Sequence, residues 1–247
     1  MRTLETNDWI LLNSIIYKIY TTPDIDRMRE NFLEMMKMLI DFDSADFYLP
    51  DARDPQKLVD PVMLNCKDNF SQVYEELDYS RGLMQGGRAL IYRETDIIDD
   101  SERTKTEYYK KVYHPNKWHY SLQMILATEN RFVGVVTFYR YIGKMDFEYN
   151  DVFLLDMLKE HLSFRLNRYL NEERMQADKY SIQEAAERFR LTKRETEILR
   201  GLLSGGDAKT LGDKMQISSN TVRKHIINLY RKLGIKNRMQ IFAMIRE

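Results

Sequence analysis

The chain has few of the residues that build cross-links or metal sites. Cys66 is the only cysteine, so no intrachain disulfide can form, and a lone thiol is typical of a reducing cytoplasm. Three of the four histidines, His114, His119 and His161, are scattered without the spacing of metal ligands. These absences predict a protein with no metal site and no cofactor.

Long apolar runs are also missing. No segment approaches the roughly 18 apolar residues that a membrane-spanning helix needs. Residues 1–20 lack the basic start and the small-residue cleavage site of a secretory signal. Because 43% of the residues are hydrophobic and low-complexity tracts are absent, the composition is that of folded domains. We therefore predict a folded, cytoplasmic protein that has no membrane partner.

The net charge of zero conceals two oppositely charged regions. Residues 188–247 contain 14 Lys and Arg against 5 Asp and Glu, which gives this region about +9 and leaves about −9 for the rest. A basic region of this size favours a polyanionic partner. The asymmetry indicates two modules with different partners.

Helical and extended patterns alternate through the acidic region. The predicted helices cover residues 8–20, 24–40, 69–80, 99–114 and 146–189, the last with a break near Ser181. The predicted strands cover 44–50, 57–66 and 88–98, together with a hairpin over 121–141 that turns at Glu129, Asn130 and Arg131. Helices around an antiparallel hairpin predict an α+β domain that ends in a connector helix.

Three short helical patterns follow in the basic region. Thr192 and Glu195 have the spacing of a capping box for the first, and the glycines at 205–206 supply its stop. Asp207 is placed to cap the second helix and Ser218 the third. Two helices joined by a tight turn predict a helix-turn-helix.

The third of these helices has an apolar stripe and a basic face. Its core stripe is Val222, Ile226, Leu229 and Leu233, and its remaining positions include Asn220, Arg223, Lys224, Ile227, Asn228 and Arg231. On B-DNA that face would offer cationic and amide groups to phosphates and base edges. A merely solvated basic face is disfavoured, because the caps, the turn and the basic region all agree. Ile227 has two interpretations, the edge of the core, which we favour, or a contact to a thymine methyl group.

The basic region also resembles a known family. The opening Leu-Thr-x-Arg-Glu, the Ile-Ser-x-x-Thr-Val-x-x-His, the Tyr-x-Lys-Leu and the Lys-Asn-Arg are similar to those of the LuxR-type (GerE/NarL-like) helix-turn-helix domain. The resemblance implies four helices, with a recognition helix in the major groove of double-stranded DNA and a last helix that makes dimer contacts. The stretch "GDAKTLGDKM" departs from the family pattern, which predicts a weaker second helix.

The resemblance also implies which side chains meet DNA. Arg223 and Lys224 would reach bases or nearby phosphates, and Thr221, His225, Lys232 and Arg238 would position the DNA backbone. The predicted DNA-binding residues are Ser218, Asn220, Thr221, Arg223, Lys224, His225, Ile227, Asn228, Arg231, Lys232 and Arg238.

The acidic region is similar to GAF-like sensor domains over roughly residues 40–175. The segments "IYRETDIIDD", "RFVGVVTFYR" and "FEYNDVFLLDMLKEHL" carry the resemblance. It implies an antiparallel sheet that holds a small molecule on one face. The predicted pocket residues are Tyr92, Tyr108, Tyr109, Trp118, Tyr120, Phe138 and Tyr139, about half of which strand alternation would turn away. Arg93, Glu94 and Asp96 would orient a polar ligand or, as we favour, form a surface salt network.

These patterns predict a DNA-binding transcriptional regulator rather than an enzyme. Asp99-Asp100 and Glu172-Glu173 are adjacent acidic pairs that do not face one another on a helix, so neither makes a catalytic pair. We expect a GAF-like domain over 1–175, a helical linker over 176–187 and a LuxR-type domain over 188–247. A homodimer that responds to a small-molecule effector is the leading hypothesis. The alternative is a ligand-independent factor whose acidic domain serves dimerisation or protein interaction.

Overall fold

A computed structural model describes residues 4–51, 54–55, 57–66, 77–84, 86–177 and 179–246, without the side chains of 175–177. The chain divides into two compact units, Met1–Asn171 and Glu172–Glu247, called unit 1 and unit 2. Most of the helix predicted over 69–80 lies outside the described residues. Within those residues no helix is both long and apolar enough to span a bilayer.

Unit 1 begins with the two predicted helices, α1 (Thr6–Thr21) and α2 (Ile25–Met36). Asp24 caps α2 by accepting a hydrogen bond of 2.7 Å from the backbone N–H of Arg27. Met28, Phe32 and Met36 are buried along one side of α2, since they recur at helical spacing. Met28 and Met36 are therefore core residues.

A five-stranded antiparallel sheet follows, in the order β2-β1-β5-β4-β3. Its strands are β1 (Ser44–Pro50), β2 (Leu58–Leu64), β3 (Leu90–Arg93), β4 (Trp118–Thr128) and β5 (Arg131–Tyr141). The strongest strand signals in the sequence become the two longest strands, β4 and β5. The predicted α+β class of this region is confirmed.

The β4–β5 hairpin turns on two residues rather than the three predicted. Glu129 and Asn130 have φ of 52° and 58°, which a two-residue type I′ turn requires at both positions, and Arg131 already pairs with Thr128. Gly134 marks a close approach, because a Cβ there would lie 3.2 Å from the carbonyl oxygen of Tyr48. Opposite Gly134 the register of the ladder shifts between Leu126 and Ala127.

Short helical pieces connect the inner strands. They are α3 (Arg81–Met84), a 3-10 turn (Glu94–Asp96), α4 (Asp100–Arg103), a π turn (Tyr109–Tyr113) and a second 3-10 turn (His114–Asn116). The prediction of a single helix over 99–114 is therefore wrong. The Thr106 hydroxyl donates to the carbonyl of Arg103 at 2.7 Å and accepts from the N–H of Tyr109 at 3.1 Å, so it ends one turn and begins the next.

A long helix, α5 (Tyr149–Ala177), completes unit 1 and continues past its boundary. Its predicted apolar stripe is buried, with Leu155, Leu158, Leu162 and Leu166 inaccessible to solvent. These leucines share one core with α1, α2 and the sheet side chains Phe47, Leu122 and Phe138. We call this side of the sheet the helix face and the opposite side the aromatic face.

Unit 2 is built from short helices. After β6 (Tyr180–Ser181) come α6 (Ile182–Arg188), α7 (Lys193–Leu203), α8 (Ala208–Met215), α9 (Ser219–Leu233), α10 (Met239–Met244) and β7 (Ile245–Arg246). The predicted break at Ser181 is a capping box in which Ser181 and Glu184 bind each other's backbone N–H. Ala185 is buried in the core of unit 2, so α6 packs there although the sequence predicted a linker.

A parallel pairing that the sequence did not predict joins the ends of unit 2. Tyr180 pairs with Ile245 and Ser181 with Arg246, which brings the start of the unit to its last helix. The helix α8 forms despite its departure from the family pattern, because Asp207 caps it through the N–H groups of Lys209 and Thr210. The four-helix arrangement predicted for this region is confirmed in α7 to α10.

Candidate functional sites

The helix α9 is fixed on its scaffold by its ends and by one apolar stripe. Ser218 caps its first turn, accepting a 3.1 Å hydrogen bond from the N–H of Thr221. Gly234 ends it in the left-handed conformation with φ of 69°. Val222, Leu229 and Leu233 are buried in a core shared with α7 and α8. The opposite side of α9 is thereby held toward solvent.

That solvent side is the candidate nucleic-acid interface, which we call the cationic face. Its exposed residues are Asn220, Thr221, Arg223, Lys224, Ile227, Asn228 and Arg231. At 3.6 residues per turn, Arg223, Asn220, Ile227, Arg231 and Lys224 fall within an arc of about 100°. The structure thus brings seven of the eleven predicted DNA-binding residues to one exposed surface.

The cations of this face are free to meet an anion. In the part of the chain that the structure describes, neither Lys224 nor Arg231 forms an ion pair. The Arg223 guanidinium makes one long contact, 3.3 Å to the side-chain oxygen of Asn220. A phosphate could therefore bind here without displacing a carboxylate.

Ser218 lies at the edge of this face and is engaged locally. Its hydroxyl accepts from the N–H of Thr221 and lies 2.8 Å from the Thr221 hydroxyl. Its first role is to stabilise the start of α9. Contact with DNA remains a prediction for both Ser218 and Thr221.

The other three predicted residues, His225, Lys232 and Arg238, are half-buried. Lys232 donates to Glu195 Oε2 at 2.6 Å and to the carbonyl of Arg190 at 2.9 Å. The guanidinium of Arg238 donates to the carbonyl of Leu202. Lys232 and Arg238 thus bind the protein itself, a role that the family resemblance did not include.

The partner of Lys232 is a second finding that sequence reasoning missed. Glu195 was recognised only as half of a capping box, and its carboxylate does accept from the Thr192 N–H at 2.7 Å. Burial by itself raises the pKa of Glu195, but the hydrogen bonds from Lys232 and Thr192 outweigh it and hold that pKa below its usual range. This carboxylate connects α7 to α9, which lie far apart in sequence.

In unit 1 the predicted pocket residues divide between the two faces of the sheet. Trp118 and Tyr139 stack on the aromatic face with ring centroids 3.8 Å apart, and Tyr109 belongs to the same cluster. Tyr108 packs against this cluster, and Tyr92 lies in a neighbouring one on the same face. Five of the seven residues therefore share one side.

Of the other two, Phe138 turns to the helix face, so its prediction as a neighbour of the five is wrong. Tyr120 also begins on the helix face but stays near them, because the Arg103 guanidinium lies 5.7 Å from the Tyr120 ring centroid and 5.0 Å from that of Tyr109. Phe138 is fully buried in the helix-face core, and Tyr120 packs against that core. Simple alternation would put Trp118 and Tyr120 on one side. An irregularity in the ladder between them, where Trp118 pairs with Tyr141 but Tyr120 with Arg140, sends them to opposite sides.

The aromatic face also contains a buried acid that the sequence did not single out. The carboxylate of Asp46, only 6% exposed, accepts a 2.8 Å hydrogen bond from the Tyr139 hydroxyl. Burial raises the pKa of Asp46 to about 7, although the hydrogen bonds from Tyr139 and Thr137 oppose the shift. A single aspartate within an otherwise apolar strand was the available signal.

A second buried acid, Glu94, centres a polar network. Its carboxylate pairs with the buried guanidinium of Arg103 at 3.1 Å and accepts from the hydroxyl of Tyr79. Burial raises the pKa of Glu94. Arg93 and Asp96 instead form a partly exposed ion pair, so the surface network that we favoured describes those two residues but not Glu94.

The side chains that could bind a metal do not cluster. Among the described residues no three His, Cys, Asp or Glu side chains converge as a metal would require.

The single thiol of the chain is held by a hydrogen bond. The thiol of Cys66 donates to the carbonyl of Ala45 at 3.3 Å, and burial raises its pKa to about 12. Cys66 is therefore held as an un-ionised thiol rather than a reactive thiolate.

Comparison with known proteins gives a match in unit 2. Residues 190–245 match the family described as "Bacterial regulatory proteins, luxR family". The spore germination protein GerE of Bacillus subtilis is 44% identical over 50 residues, which are 20% of this chain and 68% of that protein. The nitrate/nitrite response regulator protein NarP of Escherichia coli is 36% identical over 80 residues, 31% of this chain and 34% of that protein.

These similarities are partial in length. The chain spans 28% of the putative HTH-type transcriptional regulator YhjB of Escherichia coli, to which it is 42% identical over 55 residues. Among solved structures, Escherichia coli SdiA is 16% identical, with 94% of each chain covered and a TM-score of 0.45. A GAF domain of a Bacillus halodurans histidine kinase covers 61% of this chain and 98% of its own at a TM-score of 0.39 and 16% identity.

Proposed function

The chain belongs to the luxR family of bacterial regulatory proteins, and from that premise we propose that it binds double-stranded DNA and regulates transcription. The observation that carries the proposal is the cationic face of α9. A capped helix holds Lys224 and Arg231, which form no ion pair with any described residue, on one exposed surface of a basic unit. Such a surface provides the phosphate contacts that dominate DNA affinity.

We further propose that two copies act together on DNA. Helix-turn-helix dimers place two recognition helices about one helical turn of DNA apart and read inverted half-sites. Arg223 and Asn228 lie at the margins of the cationic face, where guanidinium and amide groups can reach base edges or phosphates.

The third part of the proposal concerns the aromatic face of unit 1. It combines Trp118, Tyr139 and Tyr109 with the buried polar groups of Asp46 and Glu94, and a binding site for a small effector needs this mixture. An effector acts only if it binds one arrangement of the dimer better than another. The helix α5, which continues from unit 1 into unit 2, would transmit that preference.

The DNA proposal is tested by binding selection. Full-length protein is incubated with a pool of random duplexes, and retained sequences are enriched and measured at several salt concentrations. Because each neutralised phosphate contributes about 0.9 to the slope of log affinity against log salt, Lys224→Ala should lower that slope by about this amount. Lys110→Ala, which removes an exposed lysine of unit 1, is the matched control and should leave the slope unchanged. Equal slopes for wild type and Lys224→Ala would show that Lys224 does not meet a phosphate.

The effector proposal is tested separately. A metabolite library is screened for a rise in the melting temperature of the full-length protein, and each hit is then assayed for a change in affinity for the selected duplex. A hit that stabilises wild type but not Trp118→Leu supports binding at the aromatic face. If no compound in the library raises the melting temperature, although the protein binds the selected duplex, the ligand-independent alternative replaces this part of the proposal.

A further inference from the structure

The cationic face of α9 has one apolar member. Ile227 is 66% exposed, although the sequence favoured a place at the edge of the core. That expectation is wrong, because Val222, Leu229 and Leu233 fill the core and Ile226 is the isoleucine of this pair that packs against it. The side chain of Ile227 therefore has no packing role that explains it.

Exposure alone would mean little, since single apolar residues are common on protein surfaces. The position of Ile227 is what distinguishes it. It lies one turn from Arg223 and Arg231 and on the same side as Lys224, so the surface that meets phosphates around it would press it against the bases. An isoleucine there can offer neither a hydrogen bond nor a charge.

We propose that Ile227 contacts the C5-methyl group of a thymine in the major groove and selects thymine at one position of each half-site. Thymine is the base that presents a methyl group in that groove, and apolar side chains recognise it. The cations beside Ile227 supply affinity without reading this position. This inference rests on the proposed DNA binding and adds the residue that sets part of its specificity.

The test removes the methyl group from the DNA. In the duplex enriched by selection, each thymine is replaced in turn by deoxyuridine, which differs only by that group. At one position per half-site, wild type should bind about fourfold more weakly, the factor that corresponds to one buried methyl group. Ile227→Ala should bind the thymine and deoxyuridine duplexes equally at that position.

Two variants control the result. Ile227→Val keeps an apolar β-branched side chain and should retain most of the preference for thymine. Met239→Ala removes another exposed apolar residue of unit 2, 74% exposed on α10, and should keep the full preference. Melting curves for all three variants should match wild type, because neither position contributes to a core.

Two results would overturn the inference, and they differ from failure of DNA binding. One is that no thymine-to-deoxyuridine change weakens binding by wild type. The other is that Ile227→Ala retains the same penalty at the sensitive position. If the selection enriches no duplex at all, the proposed function itself fails.

Discussion

The two units of this protein differ in where they hold the charged groups of their candidate sites. Unit 2 holds Lys224 and Arg231 outside, on a helix whose apolar residues face inward. Unit 1 holds Asp46 and Glu94 inside, at 6% and 2% exposure, among aromatic rings. An exposed cationic surface suits a large polyanion that remains hydrated when it binds. Buried acids among aromatic rings instead suit a small molecule that loses its hydration on binding. This contrast supports the proposed division of roles, in which unit 2 binds DNA and unit 1 binds an effector.

The largest expected effect comes from core substitutions that test whether the two units unfold independently. Leu199 is fully buried in unit 2 and Leu162 in unit 1, and the two cores share no described residue. Replacing either by alanine should cost about 2–5 kcal/mol of unfolding free energy. Leu199→Ala should lower the melting transition of unit 2 and weaken DNA binding, while Leu162→Ala should lower that of unit 1. Calorimetry of the full chain measures both, and a shift of both transitions by either change would contradict independence.

The buried acid of unit 1 predicts a dependence on pH. The pKa of Asp46 is about 7 in the folded state, above its value near 4 when unfolded, so the folded protein retains a proton that unfolding releases. The contribution of Asp46 to stability is complete below about pH 4 and is lost as the pH rises through about 7.

Asp46→Asn should therefore be more stable than wild type at pH 8, by an amount on the order of 4 kcal/mol, and should lack this dependence. The amide oxygen can still accept from Tyr139. Chemical denaturation at pH 5 and pH 8 provides the measurement. Asp41→Asn is the control, because its side chain is 73% exposed. A parallel pH profile for wild type and Asp46→Asn would show that Asp46 titrates normally.

Unit 2 provides the opposite case, an acid whose pKa is lowered. Since Glu195 remains ionised by binding Lys232, its stabilisation is present at neutral pH and is lost as the pH falls through its depressed pKa. Glu195→Gln should lower the unfolding free energy by about 1.5–3 kcal/mol at pH 7 and by less in acid. Glu197→Gln, whose side chain is 53% exposed, should have little effect at either pH. If the two variants behave alike, the Glu195–Lys232 contact contributes nothing.

The smallest expected effect is at Ser218, where two substitutions distinguish capping of α9 from contact with DNA. Ser218→Ala removes the cap of α9 and should cost about 1 kcal/mol, whereas Ser218→Asp keeps a capping side chain and should preserve stability. The added carboxylate would nevertheless repel phosphate. Ser218→Asp should thus melt like wild type and bind the selected duplex more weakly. Wild-type affinity in this variant would place Ser218 away from the DNA.

Much of unit 2 could be predicted from the sequence because its signals are local. The capping box of Thr192 and Glu195, the caps at Asp207 and Ser218 and the stripe through Val222 lie within a few residues of the groups they serve. Hydrogen bonds and periodicity at that range depend little on the rest of the chain. The same reasoning explains why α1, α2 and the β4–β5 hairpin of unit 1 were anticipated.

Tertiary structure alone decided which side chains meet across the fold. The irregularity beside Trp118 separates it from Tyr120, and only the pairing of β1 with β5 brings Asp46 to Tyr139. Lys232 reaches Glu195 across 37 residues of sequence. Burial raises the pKa of Asp46, whereas the hydrogen bonds from Lys232 and Thr192 lower that of Glu195. Packing of Ile226 rather than Ile227 leaves Ile227 exposed among cations. The sequence determined the helices and their polar faces, whereas the long-range contacts determined which groups are buried, paired or free to bind.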